Sequence, residues 1–320
     1  MWLSGLVTFE AAEQILERVG HIPMSGSSVW QCSQAWGKRI TAVEAVGRAT
    51  GSAMPRRADV VQGEKTDARR RMGVAMDGAM VYVHEEGWKE LKVGCVFDLD
   101  IRPTFDQRMQ EMVEMAHAVH NSYVSHLGGP VVFGQQVWAE AQRRGWTRAR
   151  DTQVLADGAV WVWNLVREHF YDSRQAVDWY HASAHLAQAA NLLEGEGTCG
   201  AHTWLKSHET LLFQGHAARI ASELGQAAHL HPTVAADLRR EAGYFQTNQH
   251  RMQYLELREE GFAIGSGMVE SGCKQFRARF CGSGMRWSRN GLEHLLPIRA
   301  AIMGHCFDSM WQLARNSPLN

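Results

Sequence analysis

The sequence predicts an α/β fold with a helical N-terminal segment and an all-helical stretch inserted late in the chain. Three observations carry this reading. Residues 152–156, 159–170 and 176–179 read as strand, helix and strand, with Val160, Trp163, Leu165, Val166 and Phe170 at helical spacing in the middle piece. Upstream, residues 71–83 (RMGVAMDGAMVYV) and 88–99 (WKELKVGCVFDL) are two apolar strands on either side of a polar turn at Glu86 and Gly87. Downstream, residues 182–260 are rich in Ala, Leu, Gln and His and break only at 195–197, Gly215 and Pro232.

From the start of the chain, Thr8 is placed to cap a helix with Ala11 at its third position, and Ala11, Ile15, Leu16 and Val19 form its apolar stripe. After the polar run 25–28, a second helix is expected over 29–40 and a third over 41–48. Helix, short turn and helix is compatible with a helix-turn-helix, which lays its second helix in the major groove. Residues 107–120 (QRMQEMVEMAHAVH) scan as helix by propensity. Residues 133–144 are a further helix, after which Gly145 and Trp146 turn the chain toward the strand before Asp157. The expected organisation is a helical segment over 1–68, a first part of the α/β core over 69–183, an all-helical insertion over 184–260, and a final part of the core over 261–320.

A chain of 320 residues with 45% hydrophobic content can bury a large core. It has no run of eighteen apolar residues, and its N-terminus lacks the basic start and long apolar stretch of a signal peptide. Six scattered cysteines without a CxxC pair read as reduced, mostly structural thiols, as expected of a cytoplasmic protein. Among the many histidines between 202 and 250, only His229 and His231 have metal-ligand spacing, and they read as a solvated helix end before Pro232. A formal net charge of -1 is not that of a nucleic-acid binder as a whole. The local surface decides that question, however. Lys38, Arg39, Arg48, Arg56, Arg57, Lys65, Arg69, Arg70 and Arg71 outnumber Glu44, Asp59, Glu64 and Asp67. Lys274, Arg277, Arg279, Arg286 and Arg289 are accompanied by the single acid Glu270 between 265 and 292. This second cluster is expected to face DNA. Trp287, within it, reads as a core residue first and a base-stacking one second.

Each strand of the β-α-β stretch ends on a carboxylate. Asp157 closes the first, and Asp178 closes the second with His181 three residues later. In open α/β sheets chemistry collects at such carboxyl ends, although an Asp before a helix is also a common N-cap. Asp77 interrupts an apolar strand, and a carboxylate there needs a cation or a hydrogen-bond network. Glu270 lies in the first turn of the helix that follows Gly265-Ser266-Gly267. Two strand carboxylates and a helical glutamate meet the requirement for two divalent ions. Magnesium or manganese would be held by few carboxylates plus substrate phosphate, as in phosphodiester chemistry.

Six strings, MDGAMV (76–81), EGWKELKVGCVF (86–97), LADGAVWVWNL (155–165), VDWYHA (177–182), IGSGMVESGCK (264–274) and SGMRWS (283–288), make the resemblance specific. In these the chain resembles the DDE transposases of the bacterial Kra-type insertion-sequence family, more distantly related to the Mutator-like transposases. The resemblance implies an RNase H-like core: a mixed sheet whose first three strands are antiparallel, with a third strand near 122–127. It implies Asp77, Asp157 and Glu270 as catalytic metal ligands for two Mg2+ or Mn2+ ions, and Asp178 and His181 as groups that support them or position DNA. The partners implied are element ends and target DNA, bound by a homo-oligomer. Family members carry a longer N-terminal region, so the chain reads as shortened there. Two other readings stay open: an RNase H-like nuclease that cuts without joining strands, and a truncated, non-catalytic DNA-binding remnant.

Overall fold

The computed structural model describes residues 1–51, 67–106 and 110–317, without the side chains of 46–51 and 67–68. Arg56, Arg57 and Lys65 of the first basic cluster, and the Arg48 side chain, lie outside the described residues. The order of elements is α1 (Trp2–Leu6), α2 (Phe9–Arg18), α3 (Gly26–Gly51), β1 (Asp67–Val83), β2 (Gly87–Asp106), β3 (Glu111–Leu127) and α4 (Pro130–Arg143). Then follow β4 (Ala149–Ala156), α5 (Val160–His169), β5 (Arg174–Val177), α6 (Trp179–Glu194), α7 (Cys199–Phe213), α8 (Ala217–Leu230), α9 (Ala235–Asn248) and α10 (Tyr254–Glu259). The chain closes with α11 (Gly267–Phe280), α12 (Arg289–Met303) and α13 (Phe307–Asn316). The strands make one mixed five-stranded sheet in the order β3-β2-β1-β4-β5. The chain divides into two compact units, Met1–Asp98 with His120–Arg150 and Gly267–Asn320, and Leu99–Val119 with Asp151–Ser266. No helix among the described residues is long and apolar enough to cross a membrane.

In the first unit, β1 and β2 form an antiparallel ladder that runs through Asp77 and Gly78, paired with Val93 and Lys92. The turn falls at Glu85 and Gly87, which take left-handed φ of 68° and 77°. Asp-Gly is therefore strand here, and the polar stretch beyond it is the turn. Alternate residues of β1 face opposite ways. The side carrying Met76, paired with Gly94, is covered by α4: a Cβ on Gly94 would lie 2.7 Å from the Val137 side chain. The α4 C-terminus is fastened by Arg144, whose guanidinium donates to Asp98 (2.9 Å), to Ser122 (3.2 Å) and to the Val96 carbonyl.

The N-terminal helices pack within this unit. Thr8 caps α2, accepting the Ala11 N–H at 3.2 Å, as its position in the sequence indicated. The two helices expected over 29–40 and 41–48 are one, α3. No helix breaker separates Ile40 from Thr41, and the Thr41 hydroxyl turns back to the Gly37 carbonyl at 3.0 Å, so the ladder continues. Val29, Ser33, Gly37 and Ile40 bury one face of α3. Gly37 lies so close to α12 that a Cβ would sit 2.1 Å from the His294 carbonyl oxygen. The helix expected to enter a major groove thus spends one face on α12 and α13.

Helix α1 is short, and its last carbonyls have no intrahelical partners. Two buried guanidiniums supply them: Arg279 Nε donates to Ser4 O (2.9 Å) and Arg299 Nη1 to Gly5 O (3.1 Å). Arg279 is 3% exposed and lies against the rings of Phe9, Phe280 and Trp287. Burial, reinforced by the neighbouring charge of Arg299, lowers its pKa to about 10. Trp287 is 7% exposed and donates its indole N–H to Phe280 O at 2.8 Å. It is a core residue.

In the second unit β4 and β5 pair in parallel, Ala156 opposite Val177, with α5 as the crossover. Gln153 is fully buried on β4, and its amide both donates to and accepts from Ala263 (2.6 and 3.0 Å). Helices α6 to α10 are the expected helical stretch. Residues 107–120, expected as helix, are strand from Glu111 onward and belong to β3. Met, Ala and Glu favour helix in isolation, but pairing along β2 outweighs that weak preference. Thr104 and His117 meet across the strands at 2.6 Å, and Arg258 reaches Asp106 and the Met115 sulfur.

Two outcomes follow. Arg279→Ala should lower unfolding stability by about 3 kcal/mol, because it strips a buried hydrogen-bonded cation from its site; urea titration measures the loss. Burial lowers the pKa of His169 from the ordinary 6.5, so the unfolded chain takes up the proton first. Its contribution is complete above pH ~6.5 and is lost as the pH falls through the folded-state pKa. Urea midpoints should drop between about pH 7.5 and about pH 5, and His169→Phe should flatten that slope.

Candidate active site

Within the first unit, Asp77 lies on the middle strand and shares its side of β1 with Gly73, Ala75 and Ala79. These side chains are small enough for α11 to lie close against the strand. Its own Oδ1 accepts the Gly78 N–H at 2.7 Å. Glu270 and the Cys273 thiol lie on α11, the helix packed against β1. Burial pushes that thiol well above its ordinary pKa of 9.0, and the charges of Asp77 and Glu270 push it further. The two carboxylates, distant in sequence, therefore act on one sulfur. Both are half-buried, and neither forms an ion pair with a cation among the described residues. Such a pair is costly unless a positive ion joins it.

Tyr123 of β3 sets the position of α11. Its hydroxyl donates to Met268 O at 3.1 Å in the first turn of the helix, and its ring packs so tightly on Gly272 that a Cβ there would lie 2.6 Å from Cε1. Nothing in the string SYVSHL marks Tyr123 for this role.

Within the second unit, Asp157 and Asp178 each follow the last residue of a strand, and those strands are parallel neighbours. The Asp178 N–H donates to Ala156 O at 2.8 Å, so the two carboxylates leave the sheet side by side. Their surroundings differ. Asp178 is fully buried and caps α6, accepting the N–H of His181 (2.8 Å) and that of Ser266. Asp157 is half-buried, and its Oδ1 accepts the Ala159 N–H at 2.8 Å. The geometric cap of α5 is Ala159, not Asp157. Both carboxylates raise the pKa of the Tyr244 phenol, after burial, which is the larger cause. His181 is partly exposed one turn into α6.

The basic cluster divides. Lys274, Arg277 and Arg286 are exposed, and the first two lie four and seven residues after Glu270 along one stripe of α11. Arg279 is a correction: it is core, holding α1, and cannot contact phosphate. Arg289 is committed to the protein as well. It forks onto Glu86 (2.7 and 2.6 Å), donates to Leu127 O (3.1 Å) and reaches Glu293 (3.1 Å). These acceptors hold its pKa above its ordinary value, and the hydrogen bonds from its guanidinium hold that of Glu86 below its own. In the first cluster, Arg70 is paired with Asp98 at 2.9 Å.

No protein-family model matches the sequence, and no curated protein matches it.

The different settings of the two aspartates separate their roles. Asp178→Ala should cost about 2–3 kcal/mol, losing a cap and leaving a buried backbone N–H unpaired. Asp157→Asn should change stability by less than about 1 kcal/mol, because the amide oxygen still accepts the Ala159 N–H. Chemical denaturation of the two variants measures this.

Proposed function

We propose that the chain is a DNA transposase of the DDE type, with an RNase H-like core, that cuts a phosphodiester at an element end and joins the freed strand to target DNA. The observation that carries this reading is that Asp77, in mid-strand, and Glu270, on the helix packed over that strand, both act on the Cys273 thiol. Both carboxylates are half-buried, and neither is ion-paired with a cation among the described residues. The donor set is all oxygen and suits Mg2+ or Mn2+, with Asp77, Glu270 and Asp157 as the ligands. Two such ions would activate the attacking oxygen and stabilise the leaving one.

The chain's own residues supply the rest. Asp157, half-buried at the end of β4 with its Oδ1 on the Ala159 N–H, would be the third carboxylate ligand. Asp178, buried and bound to backbone N–H groups, fixes the start of α6 and with it His181. Lys274 and Arg277 extend a positive stripe from Glu270 along which a DNA backbone can run, and Arg286 adds a third exposed cation. No side chain needs to become bonded to DNA, because the nucleophiles are water and then the 3′-hydroxyl.

Asp157→Asn should reduce magnesium- or manganese-dependent nicking of element-end DNA by about a thousandfold or more, comparable to losing one catalytic electrostatic contact, while its melting curve stays close to the parent's. Full nicking by the variant would remove Asp157 from the reaction. Strand-joining assays on the same samples separate transposition from simple cleavage. Arg286→Ala should weaken DNA binding at every sequence and lower the slope of log affinity against log salt by about 1. An unchanged slope would remove Arg286 from the interface.

A further inference from the structure

Arg251, in the short 3-10 turn Gln249–Arg251 after α9 in the second unit, is 9% exposed and pairs with no carboxylate among the described residues. A cation so far from water is costly unless an opposite charge joins it. Its guanidinium is fixed by neutral groups instead. Nε donates to Gln175 Oε1 on β5 at 2.9 Å and Nη1 to Asn248 Oδ1 at 3.3 Å, while the planar fork lies over the Trp163 ring of α5, 4.1 Å from its centroid. Nη2 has no hydrogen-bond partner among the described residues and remains open to solvent, whereas Nη2 of Arg279 and Nε of Arg299 are sealed in the first unit. Three contacts thus orient a buried charge without neutralising it, and they leave one donor open.

A second cation stands on the same stripe of α5. Arg167 is four residues after Trp163, so its exposed side chain emerges one turn along from the ring that Arg251 covers. It has no carboxylate partner among the described residues either, its Nη2 donating to the Asn164 amide oxygen. Burial, and after it the charge of Arg167, lower the pKa of Arg251. Asn248 also links Arg251 to the turn after Asp157: a Cβ on Gly158 would lie 3.4 Å from Asn248 Nδ2.

We propose that Arg251 and Arg167 form a phosphate-binding site, Nη2 of the buried guanidinium donating to one phosphate oxygen and Arg167 to another. A fork already held on three sides loses little freedom when it takes an oxyanion. The phosphate belongs either to a DNA backbone or to a free phosphate ester, and the site does not depend on the proposed function. In the test, the full chain, Arg167→Gln and Arg251→Gln are titrated with inorganic phosphate against chloride at constant ionic strength and followed by melting temperature. Duplex DNA is then titrated in calcium. Phosphate strengthens burial in any protein, so the readout is the saturable part and its difference between parent and variant. The expected result is a saturable stabilisation of the parent whose apparent phosphate affinity falls about tenfold in Arg167→Gln, the usual worth of one hydrogen bond to a charged group. Phosphate-free melting of Arg167→Gln should match the parent's, and Arg251→Gln should lose the saturable response. A parental response that never saturates, or one that Arg167→Gln keeps in full, would overturn the proposal, whether or not Arg251→Gln folds. Weaker DNA binding by Arg167→Gln assigns the phosphate to a DNA backbone, and unchanged DNA binding assigns it to a free ester. A parent that shows the phosphate response but neither binds nor nicks DNA removes the proposed function and keeps this site.

Discussion

Helix α11 lies close to β1 because the strand side it covers is built from Gly73, Ala75 and Ala79 around Asp77, and because Gly272 admits the ring of Tyr123. Larger residues on that side would push the helix away and carry Glu270 with it. The strand also has to be central: an edge position would leave Asp77 in water, where a lone carboxylate costs little and needs no partner. Between two strands and under a helix it is half-buried, and with Glu270 it adds to the effect of burial in raising the pKa of the Cys273 thiol. In the proposed function a divalent cation would offset that charge.

The parallel pair β4 and β5 solves a related problem differently. Two aspartates emerge at adjacent strand ends, and the fold neutralises the burden of one by surrounding it with backbone N–H groups. The other is half-buried and accepts the Ala159 N–H. Identical side chains at equivalent positions thus differ in burial and in their hydrogen bonds. The same division runs through the arginines near Glu270: Arg279 and Arg289 spend their donors on carbonyls and carboxylates of the protein, and Arg277 and Arg286 remain at the surface.

Periodicity revealed much of this architecture. Strand β1 through Asp77, the β-α-β stretch around Asp157 and the helix bearing Glu270 follow from local patterns that tertiary contacts do not oppose. The Thr8 cap was readable because capping is local chemistry. Residues 107–120 were misread because β3 is made of residues that prefer helix alone, and only its pairing with β2 decides the matter. The division of 29–48 into two helices failed because a polar, mixed run contains no breaker, and absence of a breaker is easy to overlook. The fate of Arg279 was hidden because charge counts along a sequence carry no information on burial. Tyr123 left no signal at all, since its role depends on contacts with Met268 and Gly272, far away in the chain.

The central claim concerns metal ligation, and anomalous diffraction from crystals soaked in manganese tests it most directly. The account predicts two peaks about 4 Å apart, ligated by carboxylate oxygens of Asp77, Asp157 and Glu270. A fully ordered protein with no peak at Asp77 and Glu270, or with manganese bound only elsewhere, would contradict it.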